Sequence, residues 1–458
     1  MANNILDIFN PATGLKIKEI PCDDESSIQI KFYKLQEGQK FWKTMVLSER
    51  IKIIQNFSNL LAKNIEQLAL ILTSEVGKPL QESRNEVNGA IKKISFFIKE
   101  SERILKATEV NVDGTTHEIL IYDPLGVVVN ISAWNFPYLV GVNIFIPALI
   151  CGNAVLYKPS EFSSLTGLEI ERLMFEAGVP KNVFNAVIGK GEIGEFLLNL
   201  KINGLYFTGS YGTGKKIAEK LKSKMLPMIL ELGGKDPLYV TDKVDDLTQV
   251  AEAVAEGCFY NNGQSCCAVE RVYVHEKVYD AFLEVFVLAT QKLTVGDPLN
   301  LKNTQGPITR PVHLKFLQQQ VDDAIKLGAK LLCGGKQIEG KGAFYPPTIL
   351  INVNHSMSVM KDETFGPVRG IMKVKNDEDA IKFMNDTEYG LSAAVYCKDK
   401  ERARSILDSV NSGTSYINCC DRVSAYLPWS GRNHSGFGSS LSHLGLYAFT
   451  QPRGLHLR

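Results

Sequence analysis

From about residue 125 to 240 the chain alternates short β-rich runs with helical ones, and no other feature constrains its fold as much. The runs "GVVVNIS", "AVLYK", "VFNAVI", "GLYFT", "MILEL" and "PLYV" are the expected strands, with helices around 139–151, 164–177, 191–200 and 212–224. Strand and helix alternating at this length require crossover connections, which are right-handed, and hence a parallel sheet. A second α/β half is expected from about 240 to 430. Its candidate strands include "RVYV", "AKLLC" and "AAVYC", and its helices lie near 277–292, 311–327 and 377–385.

The first hundred residues read as helical. Ile54, Phe57, Leu61, Ile65 and Leu68 recur at spacings of three and four, and Val87, Ile91, Ile94 and Ile98 repeat that pattern. "ATEVNVDGTTHEILIYDP" then changes period and reads as a hairpin turning at Asp113-Gly114. The closing "GLHLR" reads as a lone strand. Such orphan strands often complete a sheet in another subunit, so an oligomer is expected.

At 458 residues the length suits two or three domains. A formal net charge of +1 gives no reason to expect nucleic acid or an anionic membrane as partner. The longest apolar stretch, "YLVGVNIFIPALICG", is interrupted by Asn143 and Pro147 and reads as a buried helix rather than a membrane span. "MANNILDIFNPATG" has neither the basic start nor the apolar core of a signal peptide. Nine scattered cysteines, an odd number, suit reduced thiols in the cytoplasm, and none of them has the spacing of a metal site.

Four stretches can carry chemistry. In "FYNNGQSCCAVERVYV" turn-forming and amide side chains lead into Cys266 and Cys267. A cysteine becomes a nucleophile only when it is reachable and partly ionised. The pair equally fits two small buried residues, because a free cysteine behaves as a hydrophobe. "LELGGKDP" ends a strand on Glu231, where parallel sheets place their sites; the carboxylate suits a general base or a surface ion pair. In "YFTGSYGTGKKIAEK" a strand leads through Gly209, Ser210, Gly212 and Gly214 into a helix whose N-terminus suits a phosphate, although the order is G-x-x-G-x-G. "SAWNFPYLV" holds Asn135 between Trp134 and Phe136, where a carboxamide suits either an oxyanion or its own turn.

Together these stretches resemble the aldehyde dehydrogenase superfamily, in the family's order over almost the whole chain. The matching runs are "FNPATG", "EVGKPL", "DPLGVVVNISAWNFP", "GNAVLYKPSE", "YFTGS", "LELGGKDP", "FYNNGQSC", "ETFGPV", "YGLSAAVY" and "SGFG". The resemblance implies an α/β chain with a Rossmann-like cofactor domain (1–105 and 125–235), a catalytic domain (236–430) and an oligomerisation element (106–124 and 445–458) that builds a homodimer or homotetramer.

It further implies that Cys266 attacks an aldehyde, that Asn135 and the Cys266 N–H hold the oxyanion, and that Glu231 activates water to release a carboxylic acid. Trp134, Lys158, Glu161, Gly209, Ser210, Gly214, Glu363 and Phe365 fall on the cofactor side. Glu161, at the adenine ribose, favours NAD while leaving NADP open. Phe136, Tyr260 and Trp429 fall around the aldehyde, with Tyr138, Arg422 and His434 nearby.

This chain departs from many relatives at two positions. Ile144 stands where they carry a lysine, and Ser440 where they carry a glutamate, so their usual proton route is missing; either the proton leaves by water or another side chain, or turnover is slow. The aromatic lining suits a neutral apolar aldehyde, with aminoaldehydes and betaine aldehyde as an alternative. Asn143 and Tyr260 replace arginines usual in succinate semialdehyde enzymes, although Arg422 and His434 near the entry keep a succinate semialdehyde as a further alternative. Transfer of the acyl group to coenzyme A, or an inactive relative with a structural role, are the competing readings.

Overall fold

In the computed structural model, which describes residues 5–458, the alternating segment forms a parallel sheet ordered Phe184–Ala186, Ala154–Lys158, Val127–Ile131, Gly204–Thr208 and Met228–Glu231. Helices Pro137–Ile150, Ser164–Ala177, Gly191–Leu197 and Tyr211–Leu221 connect these strands. Val127, Val128 and Val129 are buried on both sides of the sheet. Each such side chain removed from water contributes about 1.5–3 kcal/mol, which explains a strand that is apolar at every position rather than at alternate ones.

"PLYV" belongs elsewhere. Asp236–Val240 lies inside a second sheet, between Val269–His275 and Ser392–Tyr396, and is parallel to both. Val368–Val374, Thr348–Ile351 and the antiparallel edge strand Lys330–Cys333 extend that sheet on one side, and Thr414–Ile417 closes the other.

The N-terminal region is not wholly helical. A hairpin of Ile5–Phe9 and Lys16–Pro21 precedes helix Glu25–Trp42, while residues 1–4 of the expected cofactor segment lie outside the described residues. The stretch read as one helix through Ile65 is two helices, Leu47–Lys63 and Ile65–Val76, broken at Asn64. Helix Leu80–Ile104 follows and packs against Pro137–Ile150.

Thr108–Asp113 and Thr116–Pro124 form the expected hairpin, and the end strand Thr450–Leu457 pairs antiparallel with Thr116–Pro124 of its own chain. The end strand is therefore not an orphan. Gly436–Phe437 pairs with Met228–Glu231, so the chain from Trp429 onward returns to the first sheet and lays Trp429, Leu441, Leu446 and Phe449 in that sheet's core. Among the described residues no helix is long and apolar enough to cross a membrane.

Candidate active site

One cavity of about 1600 Å³ runs between the carboxyl edge of the first sheet and the loops of the second. It exceeds the ~300–1,000 Å³ of a drug-sized pocket, which suits an extended ligand together with a small one. Asn135, Glu231, Cys266 and Cys267 all line it.

The thiol loop is built from its own sequence. Asn261, Asn262 and Gly263 take positive φ values of 51°, 54° and 70°, a left-handed run that asparagine and glycine tolerate. A Cβ on Gly263 would also lie 2.4 Å from the Gly366 carbonyl oxygen. Gln264 then locks the turn: its Oε1 accepts from the Thr309 N–H at 2.9 Å and its Nε2 donates to the Pro307 carbonyl at 3.3 Å. Glu82, whose pKa burial pushes up to about 8, accepts from the Asn261 N–H at 2.9 Å.

The two sulfurs have different surroundings. Cys266 is partly exposed in the cavity wall, and its backbone N–H has no hydrogen-bond acceptor among the described residues. Cys267 is 5% exposed, and its Sγ donates to Asp421 Oδ1 at 3.0 Å. A hydrogen bond with Cys266, burial and the Asp421 carboxylate raise the Cys267 thiol well above its ordinary pKa.

Asn135 enters from the turn after Val127–Ile131. Its Nδ2 donates to the Gln264 carbonyl at 3.1 Å, which leaves the second amide N–H free. The turn is anchored from below. Lys78 forms a buried ion pair with Glu86, Glu86 accepts from the Tyr138 N–H at 2.8 Å, and the Lys78 ammonium lies 3.5 Å from the centre of the Phe136 ring.

Glu231 ends its strand inside the cavity wall. Thr208 Oγ1 donates to one carboxylate oxygen at 3.2 Å and the Ser440 hydroxyl donates to the other. Burial raises its pKa, opposed by the Ser440 bond, the Lys93 charge and the Thr208 bond. Ser440 therefore touches Glu231 directly, although it is shorter than the glutamate expected there. After Glu231 comes the glycine pair. A Cβ on Gly234 would lie 2.4 Å from the Cys266 carbonyl oxygen, so this backbone and the thiol loop approach more closely than a side chain permits.

Lys158, Glu161, Gly209, Ser210, Trp134, Glu363 and Phe365 all line the same cavity. Ser210 caps helix Tyr211–Leu221 by accepting from the Thr213 N–H at 3.4 Å. Glu363 accepts from the Gly234 N–H at 3.1 Å, and burial with the nearby Glu270 charge pushes its pKa up to about 8. Phe365 meets Trp134 edge to face, with centroids 5.5 Å apart. Its N–H donates to Glu270 at 2.8 Å, and Glu270 is itself ion-paired with Lys235 at 2.6 Å.

These groups fit a dinucleotide. Lys158 is a buried ammonium whose one acceptor among the described residues is the Pro159 carbonyl at 3.3 Å, and it shares the wall with the Glu161 carboxylate. Gly214 does not line the cavity. It serves packing, since a Cβ there would meet Leu232 Cδ2 at 2.5 Å.

Phe136, Tyr260 and Trp429 also line the wall, the first two with parallel rings 6.4 Å apart. Arg422 lines it as well and pairs with Glu256 at 3.3 Å. Two residues expected nearby are elsewhere. Tyr138 is wholly buried beneath the wall, and His434 stacks on Tyr211 at 3.8 Å outside it. Ile144 is buried, but Lys93 reaches the neighbouring Asn143 Oδ1 at 2.9 Å from helix Leu80–Ile104 and lines the cavity. Nothing in the sequence reading singled out Lys93.

The model of the aldehyde dehydrogenase family matches residues 1–454. The chain is 35% identical to human aldehyde dehydrogenase 1A1 over 453 residues, covering 97% of this chain and 90% of the relative. It is 34% identical to a succinate-semialdehyde dehydrogenase [NADP(+)] of Escherichia coli (strain K12) over 449 residues, covering 97% and 93%. The crystal structure of lactaldehyde dehydrogenase from Escherichia coli superposes with a TM-score of 0.96 at 30% identity, covering 100% of this chain and 96% of that one. The chain belongs to the aldehyde dehydrogenase family, and it is an NAD(P)-dependent enzyme that oxidises aldehydes to carboxylic acids.

Proposed function

We propose that Cys266 is the nucleophile, that Asn135 and the Cys266 N–H hold the oxyanion, and that Glu231 is the base that activates water. The observation carrying this reading is that all three side chains, from distant parts of the chain, line one cavity. The Cys266 sulfur adds to the aldehyde carbon, and the carbonyl oxygen takes up the negative charge between the free Asn135 N–H and the backbone N–H. A nicotinamide nucleotide held by Lys158, Glu161, Ser210 and Glu363 would supply the hydride acceptor, and loss of hydride from the adduct leaves a thioester on Cys266. Glu231 then takes a proton from water; the C–O bond forms, the C–S bond breaks and the sulfur leaves as thiolate.

The apolar and aromatic wall at the substrate end supports a neutral aldehyde. A semialdehyde bearing a carboxylate is the second reading, supported by the Lys93 ammonium in the wall. NADH absorbance with a panel of neutral, cationic and carboxylated aldehydes, with and without coenzyme A, tests the scheme. Strict dependence on coenzyme A would overturn the hydrolytic step, and absence of NADH with every aldehyde would overturn the enzyme assignment.

Glu161 supports NAD over NADP, because a carboxylate accepts from ribose hydroxyls and repels a 2′-phosphate. Glu161→Ser is expected to raise kcat/KM for NADP relative to NAD by about ten- to a hundredfold, since like charges brought together cost several kcal/mol. An unchanged ratio would remove Glu161 as the discriminator.

Nine free thiols support a cytoplasmic enzyme. The sheet carrying Thr108–Asp113 supports a homodimer or homotetramer, because Val110 and Val112 on this edge strand are 60% and 53% exposed. Sedimentation as a monomer at micromolar concentration would overturn that assembly.

A further inference from the structure

Lys93 is 7% exposed, lines the cavity and spends one N–H on a neutral amide, Asn143 Oδ1 at 2.9 Å. An ammonium has more donors than this one bond uses, and among the described residues Lys93 forms no salt bridge. A buried charge without an opposite one is strongly destabilising, so some anion must compensate it through space. Glu86 is already committed to Lys78 and the Tyr138 N–H. Glu231, by contrast, has only the Thr208 and Ser440 hydroxyls as hydrogen-bond partners among the described residues. The ammonium of Lys93 and the carboxylate of Glu231 are thus opposite charges in one wall, each without a direct ionic partner.

We propose that Lys93 is the charge partner of Glu231, a positioning residue whose ammonium keeps this buried carboxylate ionised and ready to take a proton from water. The inference rests on Glu231 being the base for hydrolysis. Mutual electrostatics support it. The Glu231 charge is the strongest favourable influence on the Lys93 ammonium, whose pKa burial lowers to about 8, and the Glu86 carboxylate contributes less. The remaining charged groups of the substrate-side wall are Lys92, Asp421 and the Glu256–Arg422 pair. Asp421 is engaged by Cys267.

The readout is the pH dependence of acyl-enzyme decay, measured by acid quench after a single turnover of a neutral aldehyde. Hydrolysis fails as pH falls through the pKa of the base, and removing a nearby cation raises that pKa. Lys93→Met should therefore move the acidic limb upward by about one pH unit. The NADH burst, which counts folded and acylated sites, should persist, and Lys93→Arg should return the limb towards wild type. In a Glu231→Gln background, Lys93→Met should have no further effect on decay.

An unmoved limb in Lys93→Met, or a limb displaced equally in Lys93→Met and Lys93→Arg, overturns the proposal. So does a variant whose only defect is a raised KM for carboxylated aldehydes, which would make Lys93 a substrate anchor. If Glu231→Gln alone hydrolyses normally, it is the base assignment that fails. If Glu231→Gln stalls while Lys93→Met leaves the limb in place, only the role of Lys93 fails.

Discussion

Cys266→Ala abolishes NADH formation from every aldehyde, a loss of at least about a thousandfold, whereas Cys267→Ala keeps most of the activity per folded site. The two sulfurs are neighbours in sequence but not in chemistry. Cys266 is partly exposed, its backbone N–H is unengaged among the described residues, and the Asn135 amide has a free hydrogen in the same cavity wall, the two donors proposed for the oxyanion. Cys267 is buried, gives its proton to Asp421 in a hydrogen bond and holds its thiol well above the ordinary pKa, which keeps it from being a thiolate at neutral pH.

Truncating Cys267 has a different cost. It leaves the half-buried Asp421 carboxyl without the Cys267 donor, so stability should fall by about 1 kcal/mol. Activity must therefore be normalised to folded sites, and Cys267→Ser, which keeps a donor, should lose less stability. Equal losses of activity in Cys266→Ala and Cys267→Ala would show that the wrong sulfur was chosen.

What the sequence revealed follows from how each element is buried. Ala154–Lys158 and Gly204–Thr208 were readable to the residue because a parallel strand covered on both faces is apolar throughout and bounded by turn formers. Val368–Val374 was missed: "VRGIMKV" holds an arginine and a glycine, and only the fold shows Arg369 wholly buried, donating to the Gly366 and Val368 carbonyls. Helix Leu247–Phe259 and the short strands Thr348–Ile351 and Thr414–Ile417 were missed as well, the strands being too brief for periodicity to register.

The site divided in the same way. Cys266, Glu231 and Asn135 were legible through local motifs, but the groups that hold them were not, because their roles depend on charges that look solvent-exposed in a linear reading. Glu75, Lys78, Glu82 and Glu86 are all buried. Glu75 caps helix Ser164–Ala177, accepting from the Leu165 N–H at 2.9 Å, and burial pushes its pKa up to about 7. A signal for Lys93 did exist. The buried stripe of its helix is Val87, Ala90, Ile94 and Phe97, whereas Ile91 and Ile98 are only half-buried. Following the apolar residues alone shifted the stripe by one position; the correct stripe carries Glu86 and Lys93 on its buried side, where a charge must answer another charge.

Glu231→Gln should release a burst of about one NADH per active site and then stall, with steady turnover reduced by about 10²–10⁴-fold. The burst persists because addition and hydride release depend on Cys266, Asn135 and the bound nucleotide, none of which needs Glu231 to accept a proton. The stall follows because the amide matches the carboxylate in size but cannot take a proton from water, and the thioester then waits for unassisted attack. The substitution also isolates charge from shape: glutamine can still accept from Ser440 or Thr208, so the wall is conserved while its negative charge is lost. A missing burst would mean that Glu231 acts on the thiol before the aldehyde arrives. Undiminished steady turnover would mean that another group carries the water's proton, with Asp421, which accepts from Cys267 Sγ at 3.0 Å, the first candidate.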